Sequence, residues 1–160
     1  MTSPAPLPLR ALGLLGLVTI ATGCAALLPA PEPVATIPLV RGAAPGRTLV
    51  VLLPGRFDDA ADFSRRGFVA AAREAGVDAD LVAVQATLGY YARRTVLTRL
   101  REDIELPARA RGYARVYLAG VSMGGLGGLL YARNHGDEID GVLAIAPFLG
   151  AREVVDEIVA

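Results

Sequence analysis

The sequence predicts a doubly wound α/β fold: a mostly parallel sheet with helices on both faces. Three observations predict it. Short apolar runs rich in β-branched residues recur at Thr48–Leu53, Val77–Ala86, Val116–Val121 and Ile139–Ala146, the signature of strands buried on both faces of a parallel sheet. The segments between them are long enough to be helices, and their apolar residues recur at helical spacing. The order is then strand, helix, strand, helix, strand, helix, strand, which right-handed crossovers fold into one parallel sheet. A chain of 160 residues suits one such domain.

The N-terminus reads as a targeting segment. Residues 1–10 carry one arginine, and Ala11–Thr22 is an uncharged apolar run, which predicts a signal peptide over residues 1–23. The run leads through Ala21-Thr22-Gly23 into Cys24, the one cysteine of the chain. This resembles the lipobox of bacterial lipoproteins, with Ala21 where that motif usually has leucine. The resemblance implies lipidation of Cys24, an exported protein and a membrane partner reached through the N-terminal lipid, on the periplasmic or extracellular face. A plain secretory signal and an uncleaved anchor over Ala11–Ala30 are the alternatives. Pro29, Pro31 and Pro33 predict a stiff extended tether within residues 24–46, and the folded domain is expected over residues 47–160, with Ala35–Val40 as a possible leading strand.

The elements justify themselves in order. Thr48–Leu53 is a buried strand stopped by Pro54-Gly55-Arg56-Phe57. Asp58 or Asp59 can cap a helix over Ala60–Ala75, which Gly76 ends. A strand follows within Val77–Ala86. Tyr90–Arg111 reads as a helix with the stripe Val96, Leu97, Leu100 and Ile104, solvent-side pairs Arg99/Asp103 and Arg101/Glu105, and a kink or end at Pro107. The strand to Ser122 comes next, then a helix from Met123 to Asn134 closed by Gly136, and then the strand Ile139–Ala146. Ligands in such sheets bind beyond the carboxyl ends of the strands. Gly55–Phe57, Ser122 and Pro147–Leu149 are therefore expected on one rim.

The chemistry concentrates at Gly120-Val121-Ser122-Met123-Gly124. A serine that attacks a carbonyl must stand clear of the backbone on a sharp strand-to-helix turn, and its neighbours two residues away must be small. The N-terminus of the next helix points its N–H groups and positive dipole end at the same place. A junction whose serine only caps the helix is the alternative.

From Leu53 to Leu149 the chain resembles the N-terminal part of the α/β-hydrolase superfamily, on the bacterial esterase-like side. Gly120–Gly124 matches the nucleophile elbow. Pro54-Gly55-Arg56-Phe57 sits where that family has its His-Gly-x oxyanion loop, with proline in place of histidine. The resemblance implies an ester or related acyl substrate of small-molecule size and an acyl-enzyme on Ser122. The oxyanion would be held by the backbone N–H of Met123 and that of Arg56 or, alternatively, Phe57. Tyr90-Tyr91 and Ala146–Leu149 also resemble that branch.

The family's triad runs Ser, then Asp or Glu, then His. The sole histidine, His135, lies thirteen positions beyond Ser122, about 20 Å along the intervening helix at about 1.5 Å per residue. It is expected to interact with the last helix carbonyls rather than act as base. Asp137, Glu138 and Asp140 fall at the wrong end of the sheet, and Asp156 and Glu157 have no histidine to orient. Three readings follow: the front part of a longer serine hydrolase, a non-catalytic lipid-anchored domain that binds an acyl ligand or protein, or half of a split enzyme completed by a second polypeptide.

Other function classes are excluded more simply. The formal net charge is zero, so no nucleic-acid partner is expected. All sixteen basic residues are arginine, which rules out lysine Schiff-base chemistry. One His and one Cys make no zinc site. Gly124-Gly125-x-Gly127-Gly128 lacks the spacing of a phosphate loop. No metal and no cofactor is implied.

Overall fold

The structure is a computed structural model that describes residues 28–42 and 48–150. Cys24, the expected signal segment over residues 1–23 and residues 151–160, with Asp156 and Glu157, lie outside the described residues.

Five strands form one sheet in the order β1-β3-β2-β4-β5. They are β1 (Thr36–Val40), β2 (Thr48–Leu53), β3 (Asp80–Val84), β4 (Arg115–Val121) and β5 (Gly141–Ile145). The pairs β2–β3, β2–β4 and β4–β5 are parallel, and β1 joins the β3 edge antiparallel. The mostly parallel sheet is as expected. Its register aligns Leu53 with Gly120 and Gly120 with Ala144, so three strand ends meet at one rim.

The period-two alternation of strands divides the core in two. Leu49, Val51 and Leu53 of β2 face one side with Val116 and Leu118, against Tyr90, Val96, Leu100, Ile104, Ala108 and Tyr131. Leu52, Ala83 and Ala119 face the other side, against Ala60 and Phe63. The second layer stops short of β5, where Leu143 is 62% and Ile145 40% exposed.

The helices depart from the expected ranges. Ala60–Ala75 is two pieces, α1 (Asp62–Arg65) and α2 (Phe68–Glu74). They are separated at Gly67, whose φ of +83° no continuing helix has. Asp59 does serve the helix start, accepting the Ala61 and Asp62 N–H at 2.9 and 3.1 Å. The expected long helix is α3 (Leu88–Ala92), a break at Arg94 with φ +58°, then α4 (Val96–Arg99), a π-helical turn (Leu100–Glu105) and α5 (Leu106–Ala110). Pro107 does not end it, because it stands in the first turn of α5, just past the π turn, where a missing N–H costs little. The wider π turn also changes which side chains meet. Arg99 keeps Asp103 at 3.5 Å, but Arg101 pairs with Glu138 at 2.7 Å and Glu105 with Arg109 at 3.1 Å. The expected Arg101/Glu105 pair is therefore corrected, and Glu105 is buried rather than on the solvent side. Helix α6 (Met123–His135) passes through a short 3-10 turn, Gly136–Glu138, into β5.

The proline-rich stretch is not a free tether from Leu28 onward. The Tyr90 hydroxyl donates to the Pro31 carbonyl at 2.6 Å, and the Val34 N–H donates to Asp103 at 2.8 Å. Arg99 lies 3.3 Å from Glu32, and Ala35 accepts the Gln85 N–H at 2.8 Å. Prolines cannot donate, but their carbonyls still accept. That is how a segment expected as spacer becomes a strap, and why Thr36–Val40, placed ahead of the expected boundary at residue 47, belongs to the sheet.

Candidate active site

Ser122 stands where β4 turns into α6, with φ 51° and ψ −112°. A non-glycine residue there costs on the order of 1–3 kcal/mol and persists only when its surroundings hold it. They do so from both sides. The Ser122 N–H donates to the Ile145 carbonyl at 3.0 Å, and the Ser122 carbonyl accepts the N–H groups of Phe148 at 2.9 Å and Leu126 at 3.2 Å. The loop after β5 thus clamps the turn, and it does so with Ala146 itself at φ 44°.

The glycines of the motif are sterically required. A Cβ on Gly120 would run into the Gly124 carbonyl, and one on Gly124 into the Leu53 carbonyl. The serine hydroxyl makes no cap hydrogen bond to α6, so the helix-cap alternative is not realised here.

The loop after β2 approaches the serine closely. A Cβ on Gly55 would stand 3.8 Å from that of Ser122. The Asp58 N–H donates back to the Gly55 carbonyl at 3.2 Å, and Asp58 pairs with Arg66, so residues 55–58 form a tied turn. Ser122, Met123 and Arg56 line one cavity of about 270 Å³ with Leu88, Tyr91, Leu126 and Phe148. Phe57 is not part of that lining. It is 87% exposed, with the Arg56 guanidinium 5.0 Å over its ring.

The two adjacent tyrosines divide their tasks. Tyr90 is buried and holds the strap. Tyr91 lines the cavity, its hydroxyl buried without a hydrogen-bond partner. Burial pushes that phenol well above its ordinary range, so it stays protonated. Gly127 makes its place, since a Cβ there would collide with the Tyr91 hydroxyl. Leu88 and Leu126 were not singled out from the sequence, and Ala146 was named only within Ala146–Leu149, without its backbone conformation. Leucines in helices carry no site signal, and alanine hides the left-handed conformation that a glycine would have advertised.

His135 is at the far end of α6. Its ring lies tilted on Tyr131, 5.0 Å between centroids, and its Nδ1 is 3.8 Å from Glu138. Glu138 accepts from Arg101 and from the Tyr131 hydroxyl. Asp140 accepts the Val116 N–H at 2.7 Å and lies 3.2 Å from Arg109. All of these sit where β4 begins, at the opposite end of the sheet from Ser122. Among the described residues no three His, Cys, Asp or Glu side chains group as metal ligands, and no helix is long and apolar enough to cross a membrane.

Comparison with family models and with curated proteins finds no match. Solved structures do match. A predicted CIB-like hydrolase from Thermoplasma acidophilum aligns at TM-score 0.53 and 23% identity, over 71% of this chain and 57% of that one. An α/β-hydrolase enzyme from the sediment metagenome of the Mar Chica lagoon aligns at TM-score 0.53 and 23% identity, over 82% and 56%. The Paleococcus ferrophilus monoacylglycerol lipase aligns at TM-score 0.52 and 19% identity, over 73% and 44%. The fold is that of the α/β-hydrolases, and the chain spans about half the length of these structures.

Proposed function

We propose that Ser122 is the nucleophile of a serine hydrolase that cleaves carboxylic esters through an acyl-enzyme. The observation that carries this reading is the strained backbone of Ser122 at the strand-to-helix turn, clamped from both sides, with its hydroxyl left out of helix capping. Attack on the ester carbonyl would place negative charge on oxygen beside the N-terminus of α6. The Met123 N–H and the Arg56 N–H are the proposed donors, with Phe57 as the alternative to Arg56. The apolar wall of Leu88, Leu126 and Phe148 suits the acyl part of a small-molecule ester.

The acid and histidine would come from polypeptide beyond this sequence, either a continuation of the chain or a complementing chain. The same reading takes the protein as exported and anchored to a membrane through a lipid on Cys24. A non-catalytic acyl-binding domain is the second reading, favoured by the remoteness of His135 from Ser122.

The test is Ser122→Ala in the protein isolated from its own host, assayed on an activated ester. Turnover is expected to fall about a thousandfold or more with the circular dichroism spectrum unchanged. Unchanged turnover removes Ser122 from the mechanism. The intact mass of the same sample identifies the lipid and the length of the chain.

A further inference from the structure

The strap and one wall of the Ser122 cavity share helix α3. The strap enters the described fold at Leu28–Pro29, and its carbonyls lie directly on Gly89 of α3: a Cβ there would collide with the Pro29 carbonyl. Leu88 and Tyr91 of the same helix are walls of the Ser122 cavity. Cys24 is four positions before Leu28, and four extended residues reach at most about 14 Å. A lipid on Cys24 would therefore tether the domain within that reach of Leu28.

Among the described residues the other side of the cavity mouth is apolar and exposed. Phe57 is 87% exposed, Phe148 59% and Leu149 36%. Phe57 follows the cavity-lining Arg56, and Phe148 lines the cavity itself. Arg56, itself exposed, sits over the Phe57 ring. An aromatic ring beside a guanidinium suits the boundary between lipid headgroups and acyl chains. The acidic side chains behind this rim, Asp58, Asp59 and Asp62, are paired with Arg65 and Arg66, so they leave little repulsion toward anionic lipid.

We infer that the mouth of the Ser122 cavity is a membrane-contacting face, seated on a phospholipid bilayer by Phe57, Phe148 and Leu149, and that the substrate is an acyl ester drawn from that surface. This rests on the anchored-hydrolase reading and deepens it. The strap holds the domain down on the membrane with its site facing the lipid, the opposite of a spacer that lifts it into solvent.

The chain contains no tryptophan, so single substitutions report position directly. Phe57→Trp, Phe148→Trp and Val77→Trp are made in the full chain, produced with its N-terminal segment in a host that lipidates exported proteins. Each is reconstituted into phosphatidylethanolamine–phosphatidylglycerol vesicles with and without brominated acyl chains. Val77 is 42% exposed and precedes β3, at the end of the sheet away from Ser122. The expected result is blue-shifted emission, quenched by bromolipid, for Phe57→Trp and Phe148→Trp, with Val77→Trp unquenched and accessible to iodide. Equal quenching of all three, quenching of none on vesicles that carry the protein, or failure to float with the vesicles each overturns the inference. Fluorophosphonate labelling of Ser122 in the unsubstituted protein isolated from its own host separates this from the catalytic reading. A rim quenched by lipid, with the serine of the native protein unreactive, sinks the hydrolase and leaves the membrane face standing.

Discussion

Where β2, β4 and β5 finish, the molecule spends its freedom on backbone. Ser122 and Ala146 both have positive φ, Gly55, Gly120 and Gly124 allow near-contact, and aromatic rings stand in solvent. Where β4 begins, it spends side chains instead. Arg109 reaches Glu105, the Glu138 carbonyl, Asp140 and the Ala114 carbonyl. Arg101 and Tyr131 meet on Glu138, and Tyr113 donates to Asp80. The comparison shows why carboxylates and a histidine so near in sequence to Ser122 do no chemistry with it: they fasten the opposite end of the same sheet. One end is strained and open, the other satisfied and closed, and the strain at the first persists because the loop after β5 clamps it.

The sharpest way to break the contrast is at the strained end. Gly124→Ala drives a methyl group into the Leu53 carbonyl, and a loss of about 3 kcal/mol or more is expected, seen as insoluble or unfolded protein. A soluble variant of native stability would mean that the turn is looser than described.

At the satisfied end the effect is smaller and depends on pH. Burial alone would raise the Glu138 carboxyl, but the bonds from Arg101 and Tyr131 and the Arg101 charge hold it below its usual range. A carboxyl lowered in the folded state adds stability above its unfolded pKa of about 4.3, and that gain is lost as pH falls through the folded value. Glu138→Gln should therefore cost about 1–2 kcal/mol in urea unfolding at neutral pH, and the gap to the parent should close below about pH 4. A gap independent of pH would show that the charge is not what matters.

The smallest effect is expected at the clamp. Ala146→Gly relieves a left-handed alanine and adds unfolded-state freedom, for a net gain of about 0.5 kcal/mol. A loss would show that the methyl group packs.

The elbow and the strands were legible because their constraints are local. Thr48–Leu53 needs only an apolar, β-branched run, and Gly-x-Ser-x-Gly needs only small residues at fixed offsets. The cavity wall was legible in part: Pro147–Leu149 was expected on the rim, whereas Leu88 and Leu126 were not distinguished from core. The helices were misread where a single residue set the outcome. Gly67 and Arg94 take positive φ and break patterns whose apolar spacing continues through them. The strap was missed because its bonds come from partners far along the chain. A proline run says that the backbone is extended, but not what its carbonyls accept.

That remoteness orders events in time. Tyr90 and Pro31 are 59 residues apart, and Val34 and Asp103 are 69, so neither bond is rewarded until β3 and the helices after it have formed. The strap is therefore expected to close late in folding and to open early. In native-state hydrogen exchange the Val34 amide should open well before that of Val51 at the sheet centre. Each such opening uncovers Gly89 and Tyr90 of α3, the helix whose Leu88 and Tyr91 line the Ser122 cavity, so the segment that leads to the N-terminus and one wall of that cavity loosen together.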